Sequence, residues 1–494
     1  MSEHAYIACD LGAESGRVFR GRLADGVLTI SEAHRFANGG IHVAGSVRWD
    51  LPRIIDELRV GIRAAATHGR IDSLSTDSWA CDYVLIDRQG ATLSLPYHYR
   101  DARGAESSRC VSALVPHEQL YHETGIQSMP FNTINQLHWD VTHRPELIST
   151  SDRLLLIADW CNYKFSGIAV AEESLASTTQ LYRTHDHRWS ADLIHRVGLP
   201  GHLLPRVVPS ATVLGPAVAE LGVGDARVIA GCSHDTAAAI AAVPASGTNW
   251  AYLSCGTWSL LGIETTQPML SSDATYTNEL GLGGSVRCLS IIVGLWVLQE
   301  CRRSWRANGT ALSYADVTKL ADAAPPLVSI IDLRDPRFAQ TGDMPALIQS
   351  ACRAAQQPVP ETIGAIARCV LESLAFSYRR SLGALEQLSG RKLTRLHVVG
   401  GGVHNRLLMQ LTADATGREV IAGPVEATAI GNLLIQGLAL GHIHSHAELR
   451  NIVRSSFPCE TYQPRQTTAW DQAVRYLEQS PHKATCKTMK QDTP

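Results

Sequence analysis

Lysine is nearly absent. Of the 44 basic residues in this 494-residue chain only Lys164, Lys319, Lys392, Lys483, Lys487 and Lys490 are lysines, and none of them follows a glycine. A Walker-type phosphate loop needs Gly-Lys-Ser/Thr so that an ammonium reaches the β and γ phosphates, so that class is excluded. Cysteine is sparse too: twelve residues with no Cys-x-x-Cys pair build neither a disulfide scaffold nor a zinc or thiol-redox centre of that spacing. Reduced thiols in a cytoplasmic protein are the expectation. Charge of one sign is also missing. A formal net charge of −3 supplies no positive field for a polyanion, so nucleic acid is not an expected partner. Asp10 arrives before any apolar run develops, and no secretory signal is expected. One run, Thr236 to Ile263, goes 28 residues without a charged side chain, yet it holds Pro244, Gly247, Asn249 and several hydroxyls. It reads as buried helix, turn and strand, and no membrane partner is expected.

The length suits two large domains or three smaller ones. Ala5 to Cys9 reads as a short apolar strand and Arg17 to Leu23 as a second one after a glycine-containing turn. Asp50 is placed to cap a helix starting at Leu51-Pro52, with Ile55, Leu58 and Ile62 on one face, and strands are predicted at Ile71 to Thr76 and Tyr83 to Asp87. From Arg227 the pattern sharpens into strand Val228 to Gly231, alanine-rich helix Asp235 to Val243, and strand Trp250 to Ser254. The second half repeats this grammar with helices at Glu361 to Leu388, a strand at Arg395 to Val399, a glycine turn, a helix from Asn405 and a strand at Glu419 to Ala422. Such alternation argues α/β layers with a ligand cleft between two domains. The turn at Ala245 to Thr248 is the expected boundary: 1–245, then 246–480, then a frayed tail at 481–494.

Four segments could carry chemistry. In Asp10-Leu11-Gly12-Ala13-Glu14-Ser15-Gly16-Arg17 the glycines let backbone approach a ligand and successive N–H groups can form an anion nest; an ordinary hairpin turn is the plain alternative. Leu253-Ser254-Cys255-Gly256-Thr257-Trp258-Ser259 is a strand running into a second such turn, or simply a buried strand end. Val399-Gly400-Gly401-Gly402 precedes a helix capped by Asn405; its glycine spacing fails the dinucleotide fingerprint, leaving a flat backbone face for a purine or tight strand–helix packing. Asp235, in Ser233-His234-Asp235-Thr236, stands after an apolar strand at the start of a helix, as a plain N-cap or as a general base for a substrate hydroxyl attacking phosphorus. Thr76-Asp77-Ser78-Trp79-Ala80-Cys81-Asp82 and Tyr99-Arg100-Asp101 offer rings, carboxylates and guanidiniums of the kind a polyhydroxylated ligand uses, or form surface salt bridges. His442, His444 and His446 alternate but have no fourth ligand at a known zinc spacing, and read as a helix-end loop.

Taken together, these segments, with Gly125-Ile126-Gln127, Pro130-Phe131-Asn132-Thr133, Gly294-Leu295-Trp296 and Ala422-Gly423-Pro424-Val425-Glu426-Ala427, resemble the FGGY carbohydrate kinases of the actin-like ATPase superfamily, and within them the rhamnulokinase branch. The resemblance runs from about residue 5 to 465. It implies two actin-like (ribonuclease H-like) α/β domains with an ATP/sugar cleft between them, ATP and Mg2+ as cofactors, a small-molecule sugar as substrate, and a monomer or homodimer. By this likeness Ala13, Glu14, Ser15, Gly16, Arg17 and Thr257 contact ATP phosphates, Gln299 and Gly401 lie along the nucleotide, Asp10 holds magnesium, and Asp235 accepts the proton of the sugar's terminal 1-hydroxyl. Ala80, His234, Asp235, Thr236 and Ile291 fall where the family touches its sugar. Two of these depart from the pattern, Ala80 standing for a glycine and Ile291 for a hydrogen-bonding amide, and both bear on which ketose fits. L-rhamnulose is the implied substrate, with L-fuculose, L-xylulose or L-ribulose as alternatives. A non-catalytic nucleotide-binding regulator of the same fold would be expected to lack the base, which is present.

Overall fold

The apolar opening becomes the strand His4–Leu11, buried from Ala5 onward. It pairs antiparallel with Ser15–Ala24, which sets Arg17 opposite Asp10, and parallel with Ser73–Ser78, which sets Asp77 beside Asp10. These are the central members of a six-stranded sheet ordered Thr212–Pro216, Arg227–Ala230, Ser73–Ser78, His4–Leu11, Ser15–Ala24, Val27–Ala37. The helix Leu51–Ala66 makes the crossover between the parallel strands. Its N-terminus is closed by the Asp50 carboxylate, which accepts from the Arg53 N–H at 3.2 Å, and Ile54, Leu58 and Ile62 form the buried stripe that covers the sheet.

The computed structural model describes residues 3–479, so the tail expected from Pro481 lies outside the described residues. The described parts of Met1–Ala245, Ile263–Leu289 and Glu426–Pro458 form one compact unit, and those of Ser246–Gly262, Ser290–Val425 and Cys459–Pro494 form another. The chain therefore leaves the first unit at Ala245 and returns to it twice. The second return supplies the helix Ala427–Ala439, whose Gln436 amide donates to the Ile7 carbonyl at 2.9 Å and accepts from Ser73 Oγ at 2.7 Å. Gly431 of this helix lies so close to the alanine-rich helix Asp235–Ala241 that an added Cβ would sit 1.9 Å from the Ala238 carbonyl oxygen. Only glycine permits that approach.

The second unit repeats the plan. Trp250–Cys255 pairs antiparallel with residues 259–262 and parallel with Arg395–Val399, which pairs parallel with Glu419–Ala422, and Glu460–Tyr462 closes the edge antiparallel. The 27-residue helix Ile363–Ser389, capped by Thr362, brings the buried Tyr378 hydroxyl within 2.7 Å of Ser259 Oγ. The uncharged run from Thr236 is helix, turn and strand as its composition predicts, followed by a second strand, Trp258–Thr265, beyond that expectation. Among the described residues no helix is long and apolar enough to cross a membrane.

Gly431→Ala is expected to destabilise the protein by ~3 kcal/mol, because backbone on both helices must move to admit one methyl. Gly383→Ala, in open space within the helix Ile363–Ser389, should instead raise stability by about 0.5–1 kcal/mol. Paired thermal melts check both, and equal melting temperatures would refute the packing argument.

Candidate active site

Strand register gathers the first charges. Asp10, 2% exposed, receives a 2.5 Å hydrogen bond from Arg17 Nη2, while Arg17 Nη1 donates to Glu426 Oε2 from the loop that precedes the helix Ala427–Ala439. Beside it Asp77 is fully buried; its Oδ2 accepts from Asn432 Nδ2 at 2.5 Å and its Oδ1 has no hydrogen-bond partner among the described residues. Burial is the largest influence on Asp10 and pushes its carboxyl up; Arg17 pulls it back, Asp235 and Glu426 push again, and the balance is about 6. Asp77 is held well above the usual carboxylate range by burial and by Asp10, with Asn432 opposing and Asp235 adding to the rise. Asp10, Asp77 and Asp235 thus share one electrostatic neighbourhood. Two buried carboxylates with an orphaned oxygen are short of positive charge, and oxygen donors of this kind suit a hard divalent cation that keeps most of its ligands as water or phosphate. No group of three or more His, Cys, Asp or Glu side chains that could hold a metal by itself occurs among the described residues.

The hairpin tip between these strands is tied down from outside. Gly12 N–H bonds to the Ser15 carbonyl at 3.0 Å, Asn38 N–H to the Glu14 carbonyl at 2.9 Å, and Asn38 Nδ2 to the Gly12 carbonyl at 2.8 Å. Gly16 is required because the Phe36 ring lies where a Cβ would be, at 2.1 Å. Ala13 to Gly16 therefore form a braced turn beside Asp10, and the Arg17 guanidinium is already shared by two carboxylates.

Asp235 stands on the loop after Arg227–Ala230. Glu172 and Ser174 fix that loop by accepting from Ser233 N–H at 2.9 Å and His234 N–H at 3.1 Å, and Ser78 N–H bonds to the Ser233 carbonyl at 2.9 Å. The N-cap position belongs to His234, whose side chain makes no capping bond, so Asp235 is the first helical residue and not the plain cap. Both the backbone N–H and the hydroxyl of Thr236 donate to Asp235 Oδ1, the hydroxyl at 3.0 Å, and His234 Nε2 lies 3.4 Å from the same oxygen. Oδ2 has no hydrogen bond among the described residues, and the side chain remains 30% exposed. A carboxylate with one oxygen tethered and the other open can accept a proton.

In the second unit Gly294-Leu295-Trp296 clasps the Gly256–Trp258 turn: Leu295 N–H bonds to the Gly256 carbonyl at 3.0 Å, and Gly294 and Trp296 N–H groups to the Thr257 carbonyl at 3.2 Å. Gln299 Nε2 reaches Thr257 Oγ1 at 3.4 Å. Gly400 and Gly402 press on Cys255, an added Cβ at Gly402 falling 2.2 Å from its Sγ, whereas nothing lies within 4 Å of a Cβ at Gly401. Tight packing and an open backbone face thus occur in the same glycine triplet.

Residues 5–242 and 251–440 match the N-terminal and C-terminal domains of the FGGY family of carbohydrate kinases. The chain belongs to this family. It is 42% identical over 94% of its length to the rhamnulokinase of Enterococcus faecalis, covering 95% of that protein, and 39% identical over 96% to the rhamnulokinase of Bacteroides thetaiotaomicron, covering 98% of it. Solved structures of the same fold include gluconate kinase from Lactobacillus acidophilus, at a TM-score of 0.81, 17% identity and coverage of 96% of this chain and 97% of that one. Plasmodium falciparum glycerol kinase with ADP follows at 0.79, 16% identity and coverage of 96% and 98%. The protein is accordingly a sugar kinase of the two-domain α/β actin-like fold, and ATP is the phosphoryl donor that this family implies.

Within this family frame, the two departures lie at half-buried positions, Ala80 after the strand Ser73–Ser78 and Ile291 in the strand Val286–Val293. The neighbouring rings do not offer the sugar-stacking faces that their residue types suggest. Trp49 and Trp79 pack on each other with ring centroids 4.0 Å apart, and both donate to the buried Asp82, at 2.6 and 3.0 Å. The alternating histidines are separately engaged: His442 Nδ1 lies 2.8 Å from the Tyr6 hydroxyl and His446 Nε2 lies 3.0 Å from the Ala241 carbonyl. Residue patterns alone do not place Asp77, Glu426 or Asn432 beside Asp10. A usable signal exists for Asn432, since Asn432 and Gln436 sit four apart on one face of an otherwise apolar helix, where polar amides need a buried partner.

Because burial raises the Asp10 carboxyl from its ordinary value of 3.8 to about 6, the folded protein binds that proton more tightly than the unfolded chain. The stabilising contribution is complete below pH ~4 and is lost as pH rises through about 6. In ligand-free protein, Asp10→Asn should therefore raise stability at pH 7.5 by on the order of 2 kcal/mol, with the advantage shrinking toward pH 5, while turnover is lost. Melting curves across pH check this, and an advantage independent of pH would refute it.

Proposed function

We propose that this kinase transfers the γ-phosphoryl group of ATP to the terminal 1-hydroxyl of a ketose, L-rhamnulose, giving L-rhamnulose 1-phosphate, with Asp235 as general base. The observation that carries the reading is the state of Asp235: Oδ1 held by Thr236, Oδ2 open, on a loop braced by Glu172 and Ser174. The rhamnulokinase names of relatives sharing 42% and 39% of residues over nearly the full chain support the choice of sugar.

In this reading Oδ2 takes the hydroxyl proton as the oxygen attacks phosphorus. Phosphoryl transfer asks the protein for positioning and charge neutralisation more than for covalent chemistry. Ala13, Glu14, Ser15 and Gly16 offer turn backbone to the phosphates, and Arg17 contributes backbone there while its guanidinium balances Asp10 and Glu426. Thr257, Gln299 and Gly401 serve the nucleotide from the second unit. Mg2+ fits Asp10 and Asp77, the pair with the orphaned Oδ1, and when bound it supplies charge neutralisation for the phosphates. His234, Thr236, Ala80 and Ile291 face the choice of sugar, where an unpaired buried hydroxyl costs about 1–3 kcal/mol.

Purified protein given ATP and a panel of L-rhamnulose, L-fuculose, L-xylulose and L-ribulose should show the highest kcat/KM with L-rhamnulose and little ADP release without sugar. Asp235→Asn should fold and lose roughly 10²- to 10⁴-fold in kcat. A different best ketose would move the assignment to that sugar through Ala80 and Ile291. Full turnover in the Asp235→Asn protein would remove the base.

A further inference from the structure

Behind Asp235 lies a buried chain of charges that the reaction as described does not use. His234 is 6% exposed, and its two ring nitrogens face different partners. Nδ1 lies 3.1 Å from Arg287 Nη2 and 3.4 Å from Glu279 Oε2, while Nε2 lies 3.4 Å from Asp235 Oδ1. Arg287, 1% exposed, is anchored on the strand Val286–Val293. Its Nε and Nη2 donate to the Leu280 carbonyl at 3.3 and 3.1 Å, and Nη2 lies 3.0 Å from Glu279 Oε2. Glu279 comes from the paired strand Thr277–Leu280. Burial alone would raise its carboxyl, but the Arg287 guanidinium 3.0 Å away opposes burial and the carboxyl is held below the ordinary range, so Arg287 and Glu279 persist as an ion pair.

A guanidinium only donates, and a histidine nitrogen facing it must offer a lone pair. That requirement excludes the imidazolium, in which both nitrogens carry protons. It also chooses between the neutral tautomers. Glu279 favours a proton on Nδ1, yet it is the more distant neighbour and its charge is already met by Arg287. The proton then belongs on Nε2, the nitrogen that faces the Asp235 carboxylate. The opposite tautomer would set a lone pair against that carboxylate.

Resting on the assignment of Asp235 as the base, we propose that Arg287 is a positioning residue: by donating to Nδ1 it fixes His234 as the Nε2–H tautomer, which orients Asp235 Oδ1 and leaves Oδ2 aimed at the sugar hydroxyl. Glu279 completes the chain by neutralising Arg287 where water does not reach. The order is Glu279, Arg287, His234, Asp235, each group setting the next.

Nitrogen-15 NMR of uniformly labelled, ligand-free full-length protein reads the tautomer directly, with the His234 signals identified by their loss in His234→Gln. A pyrrole-type Nε2 and a pyridine-type Nδ1 are expected at neutral pH. A proton on Nδ1, or on both nitrogens, overturns the proposal without any change to the fold. Kinetics supply the second readout. Arg287→Met, and Arg287→Met combined with Glu279→Gln to avoid an unpaired buried carboxylate, should lower kcat roughly 10- to 100-fold with the KM for ATP within about twofold. Arg287→Lys, which can still donate to Nδ1, should recover part of the loss. Folded Arg287→Met protein with wild-type kcat sinks the proposal. The two assignments fail separately: turnover surviving Asp235→Asn defeats the base, whereas an inactive Asp235→Asn beside a fully active Arg287→Met defeats only the positioning chain.

Discussion

Two acids side by side on adjacent parallel strands, both buried, form the constraint around which the first unit is arranged. Asp10 and Asp77 are register partners, so strand pairing alone forces their proximity. Like charges in a desolvated sheet are costly, and the fold meets the cost from two directions. Arg17 comes from the antiparallel neighbour of Asp10, and Asn432 comes from a helix 355 positions away from Asp77. The chain's return to its first unit supplies both the amide on Asp77 and Glu426's hold on Arg17, which the acids would lose without residues 426–458.

Compensation is incomplete by construction. One oxygen of Asp77 stays without a hydrogen bond among the described residues, and Asp10 remains hard to ionise. A protein selected for stability alone would replace such a pair with amides or apolar residues; the proposed role of the pair, holding a cation against phosphate, is a reason to keep it. The same trade recurs around Asp235, the proposed base. Glu172 and Asp159 are buried and pushed up chiefly by desolvation, and Glu172 holds the loop carrying Ser233 and His234 in place while Asp159 accepts from the Glu172 N–H at 3.2 Å.

Much of the local structure is legible in the residues. The Asp50 cap, the buried Ile55/Leu58/Ile62 face, the Asn405 cap and the strands Arg395–Val399 and Glu419–Ala422 all follow from capping chemistry and periodicity. Trp79 shows where residue type misleads. Ring and carboxylate suggest a sugar platform, but its indole packs on Trp49 and donates to Asp82, and nothing in the local spacing reveals that it is buried. The position of Asp235 is a subtler case: N-cap and first helical residue differ by one place, and only backbone geometry decides which oxygen is left open.

The sequence by itself determined what is encoded within a few residues of chain. That covers the glycine turns after strands, the capped starts of the helices Leu51–Ala66 and Arg406–Thr416, the absence of a lysine-type phosphate loop, and the family motifs in their order. The tertiary structure decided which distant groups share charge: Glu426 with Arg17, Asn432 with Asp77, Arg287 and Glu279 with His234. Capping and periodicity act over one turn or one strand, whereas the electrostatics of a buried site depend on strand register and helix packing, which bring together residues that no local pattern connects.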